Sequence, residues 1–240
     1  MQRHIAILIL IILALGACAK NKVELTTQEK LTQADELYAK KKYARAAVLY
    51  DEISFERKSA ATAYATLRQA DSYYAINKFT DARAKYQQFI NSFPDHQNVS
   101  DGYFRIGQCL FEESLSPQYD QDETISAINA FRDFIDRFPN DTRFGQALEY
   151  IRKSQYKIIE KRYQNGYIYY KMKDYSAALM YFDEVIALGN QDALDRQSLY
   201  YTTMLYLRQQ NQEKAAESFQ RMRSRYPGSK ETKKLAKYFK

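Results

Sequence analysis

Apolar and polar residues alternate along most of the chain with the three-to-four spacing of amphipathic helices, and one stretch of that pattern recurs five times. YARAAVLYDEI at 43–53, FTDARAKYQQF at 79–89, TISAINAFRDF at 124–134, YSAALMYFDEV at 175–185 and QEKAAESFQRM at 212–222 superimpose without a gap. Each copy holds an alanine (Ala46, Ala82, Ala127, Ala178, Ala215) and, four residues later, an aromatic (Tyr50, Tyr86, Phe131, Phe182, Phe219). Residues i and i+4 share a helix face. The spacing therefore predicts helices whose alanine admits a close neighbour while the aromatic fills the groove beside it.

Eight residues after the aromatic, three copies place a proline behind another aromatic: Phe93-Pro94, Phe138-Pro139 and Tyr226-Pro227. Proline cannot continue the hydrogen-bond ladder and disfavours helix in the residue before it, so each helix should stop there. Nine residues before four of the segments stand Ala34, Ala70, Gly166 and Thr203, small residues within preceding amphipathic stretches, so each unit reads as a helix pair. Small residue, alanine, aromatic and proline in this order resemble the tetratricopeptide repeat (TPR). The alanines lie 36, 45, 51 and 37 residues apart, against a nominal period of about 34. ESLSPQYDQDE at 113–123 accounts for one excess as an extended turn inside the third unit. The proline-free residues 144–173 account for the other as one long helix. The expected fold is all-α, a solenoid of about five TPR helical hairpins over 27–240, with N-terminal repeats at about 27–140 and C-terminal repeats at about 141–240.

The amino terminus follows a different pattern. Arg3 precedes an unbroken apolar run from Ile5 to Leu15, too short for a membrane span, which needs about 20 such residues. Followed by Gly16 and Ala17, it has the layout of a secretory signal over residues 1–17. Leu15-Gly16-Ala17-Cys18 further resembles the bacterial lipobox. That resemblance implies cleavage before Cys18, which would carry S-diacylglycerol and an N-acyl chain. Three acyl chains make a lasting anchor where a single one holds only marginally. Ala19, where an aspartate would favour inner-membrane retention, points to the periplasmic face of the outer membrane, with residues 18–26 as a tether. An ordinary secretory peptide with an incidental cysteine is the alternative.

Cleavage would leave 223 residues and, with Cys18 taken up by lipid, one free cysteine, Cys109, in the apolar segment FRIGQCLF, where it reads as a small core hydrophobe. No internal disulfide could form, and burial must hold the fold. The mature chain would carry 35 basic and 29 acidic side chains, with basic clusters at Lys40-Lys41-Lys42 and in the tail KETKKLAKYFK. Either could touch anionic lipid or an acidic partner; a solvated turn and a frayed terminus are the plainer expectation. An exported, tethered chain has no nucleic acid to bind. Only His96 would remain of the two histidines, which rules out a histidine-based triad or a multi-histidine metal site. No glycine-rich phosphate loop occurs, and pairs such as Asp51-Glu52 and Asp183-Glu184 fall on patterned helices as solvated charge. The expectation is a protein without enzymatic activity, metal or cofactor beyond the covalent lipid.

The full order of features is narrower than a TPR array. A lipobox leads to FINSFPDHQNVSDGYFRIGQ at 89–108, an insert, AFRDFIDRFPNDTRFGQAL at 130–148, a long helix and NGYIYYKMKDYSAAL at 165–179. This order resembles the BamD family, outer-membrane lipoproteins of the β-barrel assembly machinery. The fourth repeat departs from the pattern, ending in IALGNQD without an aromatic-proline turn. The resemblance implies a scaffold whose N-terminal repeats receive unfolded outer-membrane proteins and whose C-terminal repeats contact the periplasmic (POTRA) domains of a BamA-like barrel-forming subunit. First helices of stacked units line a groove, and the register places Tyr38, Tyr64, Asp71, Tyr74, Gln108 and Phe111 there. Arg68 and Arg105 stand close enough to pair with a client carboxylate. Packing between helices is the alternative use of these tyrosines. Partner contacts are expected at exposed residues of the C-terminal half, including Arg162, Tyr163 and Tyr170. A TPR lipoprotein of the envelope that scaffolds peptidoglycan or cell-division enzymes has the same fold and anchor, and is the rival reading.

Overall fold

The computed structural model describes residues 25–239, so the signal segment 1–17, Cys18 and nearly all of the tether lie outside the described residues. Among the described residues there are eleven α-helices and no strand. In chain order they are α1 (Thr27–Ala39), α2 (Tyr43–Ser54), α3 (Ala60–Ala75), α4 (Phe79–Ser92), α5 (Val99–Glu113), α6 (Asp122–Arg137), α7 (Phe144–Met172), α8 (Tyr175–Ala187), α9 (Ala193–Arg208), α10 (Gln212–Arg225) and α11 (Lys230–Leu235). A 3-10 turn, Ala236–Tyr238, closes the series. None of these helices is long and apolar enough to cross a membrane. Each packs on its chain neighbours, giving the pairs α1–α2, α3–α4, α5–α6, α7–α8 and α9–α10.

Local sequence sets the boundaries. Thr26 caps α1, accepting from the Glu29 backbone N–H while the Glu29 carboxylate accepts from Thr26 N–H. Asp174, Asp192, Asn211 and Ser229 supply side-chain caps to α8, α9, α10 and α11. Helices α4, α6 and α10 end at Ser92, Arg137 and Arg225, immediately before Phe93-Pro94, Phe138-Pro139 and Tyr226-Pro227. The turn inside units one, two, four and five passes through a left-handed residue, Lys41, Asn77, Lys173 and Gln210, each five positions before the repeat alanine. There the residue after the left-handed one returns its N–H to a carbonyl in the last turn, as in Lys42 N–H to Leu37 O at 2.8 Å and Lys78 N–H to Tyr73 O at 3.0 Å. The third unit replaces this turn with residues 114–121, folded around the buried Gln121, whose Nε2 donates to the carbonyls of Ser116, Tyr119 and Asp120. After α8, Gly189 at φ +66 makes the turn that has no proline.

The five repeat alanines and their aromatics are all buried. Tyr50 and Tyr86 share clusters with Ala34 and Ala70 of the preceding helix, and the seats of Phe131 and Phe182 require glycine. A Cβ on Gly107 would stand 2.7 Å from Phe131 Cε1, and one on Gly166 would stand 2.9 Å from Phe182 Cδ1. Gly107 is therefore the third unit's equivalent of Ala34, Ala70, Gly166 and Thr203. The insert moves it to 20 residues before its alanine, where the other units have 12. The core is consequently serial, one cluster around each aromatic. Cys109 is buried in the second of these, and burial pushes its thiol up to about 12.

One expectation is corrected here. The basic tail is not frayed: Leu235 is fully buried against Met222 and Phe219, and Phe239 stacks on Phe219 with centroids 4.4 Å apart. Its lysines face outward from a short helix whose apolar side closes the last cluster. The N-terminal and C-terminal repeats are joined through α7. Ala147 and Ile151 in the first half of α7 complete the Phe131 cluster, whereas Tyr163, Tyr167 and Tyr170 in its second half pack on the Phe182 cluster.

Candidate functional site

Apart from Tyr64, the groove residues fall into three positions relative to the small residue of each first helix. Two before it come Arg68 and Arg105; one after it come Asp35, Asp71 and Gln108; four after it come Tyr38, Tyr74, Phe111 and Tyr170. Positions three and four apart share a helix face, so the three sets form ridges running from unit to unit. The structure joins them. The Arg68 guanidinium lies 3.6 Å from the centre of the Tyr38 ring, and Arg105 lies 5.1 Å from that of Tyr74. The same rung recurs in the C-terminal half, where Tyr201, two before Thr203, meets Tyr170 at 4.9 Å. Cations over aromatic faces contribute about 0.5 to 2 kcal/mol depending on desolvation, enough to fix side-chain direction.

Carboxylates orient the tyrosines between rungs. Asp35 accepts from Tyr50 and Tyr64 through the same Oδ1, at 2.5 and 2.9 Å. Asp71 accepts 2.7 Å from Tyr86 and meets Arg68 at 3.4 Å. Burial and then the Asp35 carboxylate push Tyr64 above the ordinary phenol range, and the same holds for Tyr38 with the Asp71 charge. Tyr74 is raised to about 12, by burial first and by the Glu112 charge second. These phenols therefore remain neutral donors at any physiological pH. Further along, Arg105 Nη1 donates 3.0 Å to Gln108 Oε1, and Gln108 Nε2 donates 3.1 Å to the Tyr150 hydroxyl. Tyr150 in turn meets Phe111 edge-on at 4.9 Å and stacks on Phe131 at 4.8 Å. Lys157 lies 5.0 Å over Phe111 and donates 2.6 Å to Ser114 Oγ.

All eight expected groove residues are thus brought into one ribbon from α1 to α7. Tyr64 is the most open of them, and the others are half-buried. Neither arginine stands free: Arg68 stacks on Tyr38 beside Asp71, and Arg105 is held by Gln108 and Tyr74. The sequence reading missed Asp35, Tyr150 and Lys157. Asp35 had a usable signal, since it occupies the repeat position of Asp71; Tyr150 and Lys157 lie in the extra turns of α7, where the repeat offers no register.

The exposure expected of the C-terminal residues is corrected. Tyr163 packs 5.9 Å from Phe182, and Tyr170 sits within a tyrosine cluster with Tyr167 and Tyr201. Both are half-buried, because α7 turns their side toward α8 and α9. Arg162 keeps an open side chain and pairs with Glu184 at 3.5 Å. Among the described residues no group of three His, Cys, Asp or Glu side chains is placed to hold a metal ion.

Helix hairpins, small-against-aromatic seams and serial cores define a tetratricopeptide solenoid, and residues 163–230 match the tetratricopeptide repeat model. Residues 23–187 match the family described as outer membrane lipoprotein, YfiO, and the chain belongs to that family. It is similar to the outer membrane protein assembly factor BamD of Rickettsia prowazekii (strain Madrid E), with 25% identity over 191 residues that cover 78% of this chain and 76% of the relative. A second relative, the outer membrane protein assembly factor BamD of Caulobacter vibrioides, is 24% identical over 136 residues, covering 57% of this chain and 45% of the relative. Among solved structures, the TPR2AB domain of yeast Sti1 superimposes with a TM-score of 0.47 and 11% identity, over 86% of this chain and 80% of that one.

Proposed function

We propose that the protein is a non-catalytic scaffold of outer-membrane protein assembly, anchored by lipid on Cys18 to the periplasmic face of the outer membrane. The family and the names of both curated relatives support this reading. The observation that carries the binding half of the proposal is the ribbon from Tyr38 to Lys157. Its aromatic faces and fixed polar tips suit an extended client polypeptide, with aromatic side chains on the ridges and a terminal carboxylate drawn to Arg68 or Arg105. On this reading the N-terminal repeats receive unfolded outer-membrane proteins, and the C-terminal repeats, with Arg162 at their open edge, contact the POTRA domains of a BamA-like subunit.

Purification of the lipidated protein from detergent-solubilised outer membranes tests the proposal. A barrel-forming subunit recovered in stoichiometric amount is the expected result. Cell-wall synthases or hydrolases in its place would overturn it in favour of a peptidoglycan or cell-division scaffold. Asp71→Ala, which frees Tyr86 and Arg68 together, should weaken client binding while the barrel-forming subunit still copurifies.

A further inference from the structure

Internal repetition makes one seam of the solenoid a reference for another. In the seam between α2 and α4, floored by α3, Asp51 stands five residues after Ala46 and is answered twice. Gln69 Nε2 donates 2.7 Å to its Oδ1, and Lys85 Nζ donates 3.0 Å to the same atom. Gln69 lies one before Ala70, and Lys85 lies three after Ala82. The same three positions in the seam between α8 and α10, floored by α9, carry Asp183, Thr202 and Ser218. The carboxylate is kept, but both long donors are replaced by short side chains.

A cleft of about 420 Å³ occupies the place they vacate, with Asp183, Thr202, Tyr206, Lys214, Ser218 and Arg221 in its walls. Its other charges are largely satisfied within the chain. Arg221 pairs with Glu217 at 2.7 Å, Arg225 pairs with Asp195 at 2.7 Å, and Lys214 rests 5.7 Å over the Tyr206 ring on an exposed stem. Asp183 feels Arg221 and Lys214 only at longer range, and crowding on its inner side raises its carboxyl above the usual range. Thr202 is 3% exposed, and its hydroxyl finds no hydrogen-bond partner. A carboxylate in the wall of a cleft and an unpartnered hydroxyl at its floor, beside an aromatic face, are the fittings of a site for a cation.

We propose that this cleft receives a lysine or arginine side chain of a partner polypeptide, its cationic head taking on Asp183 the place that Gln69 and Lys85 take on Asp51. The volume admits such a side chain together with the backbone that carries it, and Tyr206 exchanges Lys214 for the incoming cation. The inference rests on the scaffold reading, since it names the chemistry of one partner contact.

The test uses the lipidated full-length protein in detergent micelles, titrated with Nα-acetyl-lysine methylamide and its arginine and norleucine counterparts, with backbone amide resonances followed by NMR. Saturable shifts at residues lining the cleft are expected with the two cationic fragments and not with norleucine. Asp183→Asn should weaken them about tenfold or more, the loss of one charge-assisted contact. Thr202→Gln with Ser218→Lys, which restores the filled pattern of the first seam, should abolish them. Should the double variant fold poorly, Asp183→Asn decides alone, because its side chain is open to solvent. Absent shifts, equal shifts with norleucine, or shifts that survive Asp183→Asn would overturn the assignment. A silent cleft beside successful copurification sinks the cleft and spares the scaffold reading; a responsive cleft without copurification does the opposite.

Discussion

Gly107→Ala adds one methyl group and isolates the contact on which the third unit depends. The new Cβ would stand 2.7, 2.8 and 2.9 Å from Cε1, Cδ1 and Cζ of Phe131, well inside ordinary van der Waals separation. The ring has nowhere to retreat. It is fully buried, stacked on Tyr150 at 4.8 Å, and meets Phe104 edge-on at 5.6 Å. Overpacking of this kind costs about 1 to 3 kcal/mol, while alanine in a helix interior returns roughly 1 kcal/mol of propensity relative to glycine. Gly145→Ala separates the two effects, since Gly145 also lies in a helix and a Cβ there meets nothing within 4 Å. The control should melt at or above the parent temperature. Gly107→Ala should melt below the control by about 2 to 4 °C for each kcal/mol of overpacking. Circular dichroism melts of both variants at matched concentration supply the comparison. Equal upward shifts would mean that Phe131 does not sit against Gly107, and the placement of the insert in the third unit would fall with it.

Three further outcomes are expected. Cys18→Ser should leave the melting temperature unchanged, because the solenoid begins beyond it, and should move the protein from the membrane pellet to the soluble periplasm; retention through a carbonate wash would refute the lipid anchor. Asp141 receives Nε and Nη2 of Arg143 at 2.9 and 2.7 Å, and these hydrogen bonds hold its carboxyl well below the usual range. A depressed folded pKa lends stability above the unfolded value of about 4 and loses it as pH falls further, so the parent's melting temperature should drop more steeply below about pH 4 than that of Asp141→Asn. Asp195 is fully buried between Arg225 at 2.7 Å and the Tyr226 hydroxyl at 2.6 Å, so Asp195→Ala should cost about 3 kcal/mol in urea unfolding, near the low end for a broken buried pair because Arg225 keeps some solvent. A loss too small to measure would show that Arg225 is satisfied elsewhere.

The spacing of alanine and aromatic made most of the fold legible, because four of the five pairs carry a small residue twelve positions upstream and three carry a proline terminator downstream. Gly107 escaped that reading for a mechanical reason. The loop at 114–121 lengthens the turn, so the seat of Phe131 lies at an offset no other unit uses. The groove was legible where residues repeat in register, as Tyr38, Tyr74 and Phe111 do. It failed in α7, where the helix runs past one repeat length and tyrosine, apolar along the ring and polar at the tip, reads equally well as buried or open. Tyr163 and Tyr170, expected to be open, are half-buried on that account. The tail misled differently: its lysines dominate composition, yet Leu235 and Phe239 decide where the segment goes. Asp183 read as surface charge because a cleft is defined by what its neighbours lack, and shortened side chains at Thr202 and Ser218 leave no mark in a single unit considered alone.

The 29 residues of α7 extend about 43 Å, and one continuous rod forms a wall of both the Phe131 and the Phe182 clusters. The protein therefore has no natural seam at its middle. A fragment ending at residue 143 would leave Phe131 and Phe134 open to water, and one starting at 144 would carry Ala147 and Ile151 with nothing to cover them. Whatever seizes the rod at one end must tilt it at the other, so the first three hairpins and the last two are mechanically a single beam.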